Sequence, residues 1–348
     1  MDLSLTDDQQ MVRSVFGDLF DKEATLARVR AAEDTGFDAG LWEALTEAGA
    51  VVMGAPEDLG GGGAGAIDLA LIAEEHGRSL APVPLIEALA AVHVLSGTEA
   101  GAAVIEEIAE GEVIPTVALL PLQGGVARLA PAGAVADLIV ALDGDELVAV
   151  RRRGERPYAA PPENLGSQPI ADWDLAAAGQ ERTVLAFGAE ARDRHADAVA
   201  LWRGLTASAL NGLRKRAMAI GVEYVKNRKA FGQPIAMFQA IQHRLADQEA
   251  AGQGVELLAY EAAWAREAEP ERARALAGMA LLAAASSAFA TTREVLQFHG
   301  GYGYTLEYDI QLFFRRAKAW PLAGGALTDQ YQDLAAALWA GAGVAQEA

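Results

Sequence analysis

The sequence predicts a mainly α-helical protein with a small β domain in the middle. Three observations carry this. Residues before about 113 place apolar side chains at helical spacing. Residues 113–192 switch to short β-branched runs. From residue 193 onward the chain returns to long Ala- and Leu-rich helical segments. The expected plan is an N-terminal helical domain over 1–112, a reduced central β domain over 113–192 and a C-terminal helix bundle over 193–348, built as a four-helix bundle in which each helix buries one face.

Within the first region, Thr6 followed by Gln9 is a capping-box pattern that opens a helix over 6–33. Met11, Val12, Val15, Phe16, Leu19 and Phe20 recur along it at helical spacing. A second helix is expected over 37–49, with Leu41, Trp42, Leu45 and Ala48 inward. Residues 53–65 carry six glycines and a proline and form a loop. No strand–loop–helix pattern with Lys-Ser/Thr follows, so this loop is not a P-loop. Helices resume at 66–78, 84–96 and 101–109.

The β region is marked by runs at 113–120, 137–142 and 146–152, the last two joined by a turn at Asp143-Gly144-Asp145. The bundle region predicts helices at 194–228, 236–266, 270–299, 307–318 and 326–341.

Bulk properties narrow the function. At 348 residues and 52% hydrophobic content the chain can bury a large core. Its net charge of −20 argues against a nucleic-acid binder, which needs a basic face. No stretch reaches the roughly 18 unbroken apolar residues of a membrane span. The N-terminus, Met-Asp-Leu-Ser-Leu-Thr-Asp-Asp, lacks a basic, apolar leader, and a cytoplasmic protein is expected. With no cysteine there are no disulfides, thiolate metal ligands or Cys nucleophiles, and no metal site is expected. The few cations cluster at Arg214–Arg216, Lys226–Lys229 and Arg315–Lys318, as candidates for either an anion site or helix-end solvation.

Two stretches carry the chemistry. The first runs Arg228-x-x-Phe231-Gly232-x-Pro234-Ile235-x-x-Phe238-Gln239 and the second Gln297-x-x-Gly300-Gly301-x-Gly303-Tyr304. Arg supplies a permanent charge with several donors, and a Gly pair lets backbone approach phosphate without a Cβ in the way. The plainer reading is that Phe231 and Phe238 are core residues and that Gly300-Gly301 stops a helix.

Together these stretches resemble the acyl-CoA dehydrogenase family. Asp58-Leu59-Gly60-Gly61 and Glu74-Glu75-His76-Gly77-Arg78-Ser79-Leu80-Ala81-Pro82 are similar to that family's first domain. The resemblance implies an acyl-CoA dehydrogenase-like fold and FAD as cofactor. It also implies FAD-binding roles for Arg228 on the pyrophosphate and for Phe231, Phe238, Gln239, Gln297, Gly300 and Gly301, usually toward a neighbouring subunit's flavin.

The same resemblance exposes departures. In most members a glutamate base stands six residues after the lysine matching Lys318, where this chain has Gly324. A minority place it before an Arg in the first bundle helix, where this chain has Trp202 before Arg203. Neither residue can take a proton, so no catalytic residue is expected here. Glu223, Glu307 and Asp329 are the nearby acids, each read as structural. The flavin-ring motifs of the β domain are also absent from residues 115–123 and 137–152.

The chain therefore resembles the shorter, base-lacking subunit of the α2β2 enzymes of actinobacterial steroid catabolism. That implies a homologous catalytic partner holding most of the acyl-CoA, with a steroid side-chain CoA ester as substrate. It also implies an electron-transfer flavoprotein or similar acceptor. The alternatives are a homo-oligomeric dehydrogenase with an atypical base, Glu223 or Asp329, and a non-enzymatic scaffold.

Overall fold

A computed structural model describes residues 4–340. The first three residues of the acidic N-terminus and the final residue of the helix expected over 326–341 lie outside the described residues.

Thr6 caps α1 (Asp7–Glu23) as expected. Its hydroxyl accepts from the Gln9 N–H at 3.2 Å, and the Gln9 side chain accepts from the Thr6 N–H at 3.0 Å. The single helix expected over 6–33 is instead two. Thr25 starts a new N-cap and opens α2 (Leu26–Ala31). An Ncap hydroxyl competes with the helix backbone for its own N–H groups, and here it wins. Next come α3 (Ala39–Glu47), α4 (Ala66–Ser79) and α5 (Leu85–Ser96). α3 buries Leu41, Trp42 and Leu45, but Ala48, expected inward, is the exposed C-cap where the helix has already ended. The segment read as one helix over 101–109 is split into α6 (Glu99–Ala102) and α7 (Ile105–Ala109).

The strands β1 (Pro115–Val117), β2 (Val126–Ala130), β3 (Leu138–Asp143), β4 (Glu146–Arg151), β5 (Ala171–Asp174) and β6 (Glu181–Phe187) follow. They form a four-stranded sheet in the order β1-β3-β4-β6 and a separate β2–β5 pair. β1 runs parallel to β3 and the other pairings are antiparallel. The tight β3–β4 turn falls where the sequence puts it, with Gly144 at φ +60°.

The bundle starts earlier than expected: α8 (Gly188–Asn227) is a continuous 40-residue helix. After a two-strand hairpin, β7 (Lys229–Ala230) and β8 (Gln233–Pro234), come α9 (Gln239–Ala268), α10 (Pro270–His299), α11 (Ile310–Ala319) and α12 (Leu327–Ala340). α8 is the axis of the molecule, packing along both α4 and α10. Its crossing with α4 is unusually close. A Cβ on Gly77 would collide with the Ala209 carbonyl, and one on Gly212 with the Glu74 carbonyl. α10 is apolar enough to cross a membrane by length and composition, but 67% of its most apolar window is buried inside this bundle.

Two of the three basic clusters turn out to be internal ties. Lys215 reaches Glu74 at 2.7 Å and Glu256 at 2.8 Å, and buried Arg214 reaches Glu249 at 3.3 Å. Arg315 and Arg316 both face Glu33, which joins α11 to the N-terminal helices. The Lys226–Lys229 cluster is exposed at the end of α8.

Candidate functional site

The two sequence motifs meet at one end of the α8–α10 pair. Arg228 leaves the helix at φ −72°, ψ 126°, while its N–H still bonds the Tyr224 carbonyl at 2.8 Å. The Ile235 N–H returns to the Arg228 carbonyl at 2.8 Å and closes the hairpin. Phe231 and Gly232 form its tip, with φ of +51° and +82°. This positive-φ pair is what a two-residue mirror-image turn requires, and a phenylalanine is a strained choice for it.

Phe231 is also 96% exposed. Its ring pairs edge-to-face with half-buried Phe238, centroids 6.2 Å apart. The alternative that Phe231 is a core residue is thereby excluded. Arg228 and Gln239 are exposed beside it, and among the described residues no carboxylate pairs with Arg228.

At the facing end of α10, exposed Gln297 precedes the helix stop. Gly300 adopts φ 62°, ψ −140°, a region essentially restricted to glycine. Gly301 has no such constraint. A Cβ on either residue would meet nothing within 4 Å, so the backbone there faces open space. Packing within this chain therefore gives no reason for glycine at 301.

An aromatic clamp holds the two motifs together. The Tyr224 and His299 rings stack with centroids 3.8 Å apart, and Tyr308 packs edge-on to both at 6.3 and 5.6 Å. His299 Nδ1 lies 2.8 Å from the Val295 carbonyl, and burial lowers its pKa. The ring is thus neutral and donates from Nδ1. All seven residues expected to touch FAD sit on or beside this exposed rim.

Positions 202 and 324, where the resemblance puts a base, also converge, away from the rim. Gly324 ends a 3-10 turn, Trp320–Gly324, and Trp202 lies in α8. A Cβ on Gly324 would come within 2.8 Å of Trp202 Cζ3 and 3.2 Å of Cη2. The indole, 1% exposed, occupies the place a side chain at 324 would take. Gln330 pins the turn by donating to the Pro321 and Gly325 carbonyls, each at 2.9 Å.

The alternative bases fare poorly. Glu223 lies 21 residues further along the straight run of α8, about 31 Å at 1.5 Å per residue, and bonds Asn227. Glu307 and Asp329 are exposed. The carboxyl that does reach this place is one the sequence did not single out. Glu87 accepts from Trp202 Nε1 at 3.4 Å, and burial pushes its pKa up. Its signal is that it is the one carboxylate in the largely apolar α5.

Trp202 lines a small cavity, and its neighbours Val199, Ala200 and Arg203 line a larger one. The small one, of about 50 Å³, lies between the α4–α5 turn, α8 and α11. The larger one, of about 700 Å³, opens between the β1–β2 connection, the first turns of α8, α10 and α12. Its size suits a small-molecule site. Leu119, Leu120, Pro121, Leu122 and Leu142 make most of its β-domain wall aliphatic, and Asp143, paired with Arg182 at 2.9 Å, is the polar side chain on it. On the helical side Arg203 pairs with Asp333 at 3.3 Å. His195 Nε2 bonds the Ala118 carbonyl at 2.7 Å, with its pKa lowered by burial.

Comparison with known proteins agrees with this architecture. Residues 6–112 match the model of the acyl-CoA dehydrogenase N-terminal domain, and residues 196–339 that of the C-terminal domain. The chain belongs to the acyl-CoA dehydrogenase family. It is 32% identical over 323 residues to acyl-CoA dehydrogenase IpdE2 of Mycobacterium tuberculosis, covering 89% of this chain and 91% of that protein. Its fold matches a chain of the ChsE4-ChsE5 complex from Mycobacterium tuberculosis with a TM-score of 0.84 at 23% identity, over 97% of this chain and 99% of that one. A chain of the Tcur3481-Tcur3483 steroid ACAD gives 0.83 at 23% identity, with the same coverage.

Proposed function

We propose that this chain is the base-lacking subunit of a heteromeric FAD-dependent acyl-CoA dehydrogenase. The observation that carries the reading is the convergence of Trp202 on Gly324. Both places where the family keeps its base are filled by one indole and one hydrogen. A homologous partner supplies the base and most of the acyl-CoA contacts, as an α2β2 assembly. The similarity to a steroid acyl-CoA dehydrogenase favours a steroid side-chain CoA ester as substrate.

The rim fits a flavin dinucleotide by its chemistry. Arg228 offers a pyrophosphate a guanidinium that no carboxylate among the described residues pairs with. Gly300 and Gly301 leave backbone open to close approach, and Phe231 offers an aromatic face outside its own core. Gln239 and Gln297 add exposed amides that can donate and accept, and Phe238 backs the Phe231 ring. FAD, when bound, supplies the hydride acceptor for α,β-dehydrogenation. This chain's share is to hold and orient the cofactor's phosphate end, and an electron-transfer flavoprotein or similar acceptor would reoxidise the enzyme. We place the assembly in the cytoplasm.

The test is to purify the chain alone and with its dehydrogenase-like partner, then record flavin absorbance. Colour and CoA-ester dehydrogenation only in the complex support the proposal. A yellow chain that is active alone overturns it. The 700 Å³ cleft favours that second outcome, a self-contained homo-oligomeric flavoenzyme. The aliphatic wall and the missing base oppose it.

A further inference from the structure

The small cavity behind Trp202 is chemically unlike the large one. Two of its lining residues are deeply buried, and each carries a polar atom without a hydrogen-bond partner among the described residues. These are Nδ1 of His76, a residue 6% exposed, and Nη1 of Arg316, 2% exposed. His76 Nε2 lies 3.1 Å from the Val83 carbonyl and donates to it, so Nδ1 is a bare acceptor. Arg316 Nη1 is a donor whose nearest carboxylate, Glu33, is 3.7 Å away. Glu87 and the Thr206 side chain line the same space, with Trp202 and Trp320 as walls.

A buried polar group left unsatisfied costs about 1–3 kcal/mol, so two on one cavity call for an occupant. The occupant must donate to His76 and accept from Arg316, and it must be small. About 50 Å³ leaves room for roughly one or two water molecules, each of which takes about 30 Å³ in the liquid. A methylene chain satisfies neither group.

We infer that this cavity is an internal hydration site, in which ordered water bridges His76 Nδ1, the Glu87 carboxyl and Arg316 Nη1 behind Trp202. The inference goes beyond the subunit reading and does not depend on it. The consequence is selectivity: an apolar acyl tail is refused here by chemistry as well as by size.

A high-resolution crystal structure of the protein, with and without xenon pressurisation, tests it. Solvent peaks within hydrogen-bond distance of His76 Nδ1 and Arg316 Nη1, with no xenon in the cavity, are expected. A dry cavity, or one that takes up xenon, overturns the inference. In solution, oxygen-17 relaxation dispersion counts long-lived internal waters. Glu87→Leu, or His76→Leu if the first does not fold, should lower that count by at least one. An unchanged count in a folded variant sinks the idea.

Discussion

Tyr224 and His299 stack ring on ring, 3.8 Å between centroids and 24° between planes. Tyr224 sits one helical turn before Arg228, and His299 one residue before Gly300. This contact therefore sets the distance between a guanidinium and a glycine pair that the sequence leaves unconnected. Tyr224→Leu should loosen the rim while the rest of the bundle stays folded. The expected result is several-fold weaker FAD retention by the complex, with Tyr224→Phe near wild type because the ring is kept. Equal retention in all three proteins, measured by flavin absorbance after gel filtration, would show that the clamp does not position the site.

Arg228 and Phe231 contribute in different ways. Arg228→Ala in the co-purified complex should empty most flavin sites, because a charge-assisted contact to phosphate is lost. A hydrogen bond to a charged group is worth about 1.5–3 kcal/mol, or roughly ten- to a hundred-fold in affinity. Phe231→Ala removes an exposed ring from a strained turn, so the isolated chain should lose no stability while the complex binds flavin less tightly. Unchanged flavin content in Arg228→Ala would rule out a cross-subunit role.

Most of this organisation could be read from local patterns, and the failures have physical causes. The Thr6–Gln9 cap and the Asp143–Asp145 turn were legible because each is decided within a few residues. The break at Thr25 was hidden because Val29 continues the apolar spacing on the far side. β2 is not legible in the sequence, because Val126–Ala130 mixes small and charged residues and pairs with a strand some forty residues away. The exposed rim was legible as two motifs, but not the stacking that joins them. Glu87 is not legible as a site residue, because one carboxylate in a largely apolar helix gives no sign of what it faces. Trp202 and Gly324 were each recognised, but their contact is a tertiary fact that spacing cannot supply.

Stability should fall with acid through His76. Burial lowers its pKa from 6.5 to about 4, so the folded protein refuses a proton that the unfolded chain accepts. The sign follows: as pH drops below about 6.5, the unfolded state binds more protons and the native state loses ground until about pH 4. The loss is about 3 kcal/mol at 1.36 kcal/mol per unit. Glu87, facing the same cavity, has its pKa raised and acts in the opposite sense, while Arg316 stays charged. The His76 share is therefore read from the difference between wild type and His76→Gln in urea titrations at pH 7 and pH 4. That difference should shrink by about 3 kcal/mol, and a constant difference would contradict the assignment.

The α4–α8 crossing depends on glycine at both contact points. Gly77→Ala places a methyl in the Ala209 carbonyl, and Gly212→Ala places one in the Glu74 carbonyl. Backbone cannot rotate away as a side chain can, so the helices must separate. Overpacking costs of about 1–3 kcal/mol are the floor here. Thermal unfolding should show each variant several degrees below wild type. Gly204→Ala, at a position with open space on the same helix, should match or exceed wild type through better helix propensity. A Gly77→Ala variant as stable as wild type would mean that the crossing is looser than it looks.

Restoring a glutamate at position 324 should not restore an enzyme. The Cβ of Gly324→Glu meets Trp202 at 2.8 Å, and the 3-10 turn around it is tied down by Gln330. The substitution must displace a buried indole, so it should cost about 1–3 kcal/mol and leave CoA-ester turnover at background. The penalty belongs to the pair, which a double-mutant cycle can show. In a Trp202→Phe background, itself destabilised by a lost indole edge, Gly324→Ala should cost less than it does alone. A coupling of about 0.5–3 kcal/mol is expected for residues in direct contact. Additive effects would place the indole elsewhere in solution. Robust turnover from Gly324→Glu alone would show that the aliphatic wall at Leu119–Leu122 can seat a flavin ring after all, and that the missing base was the only deficit.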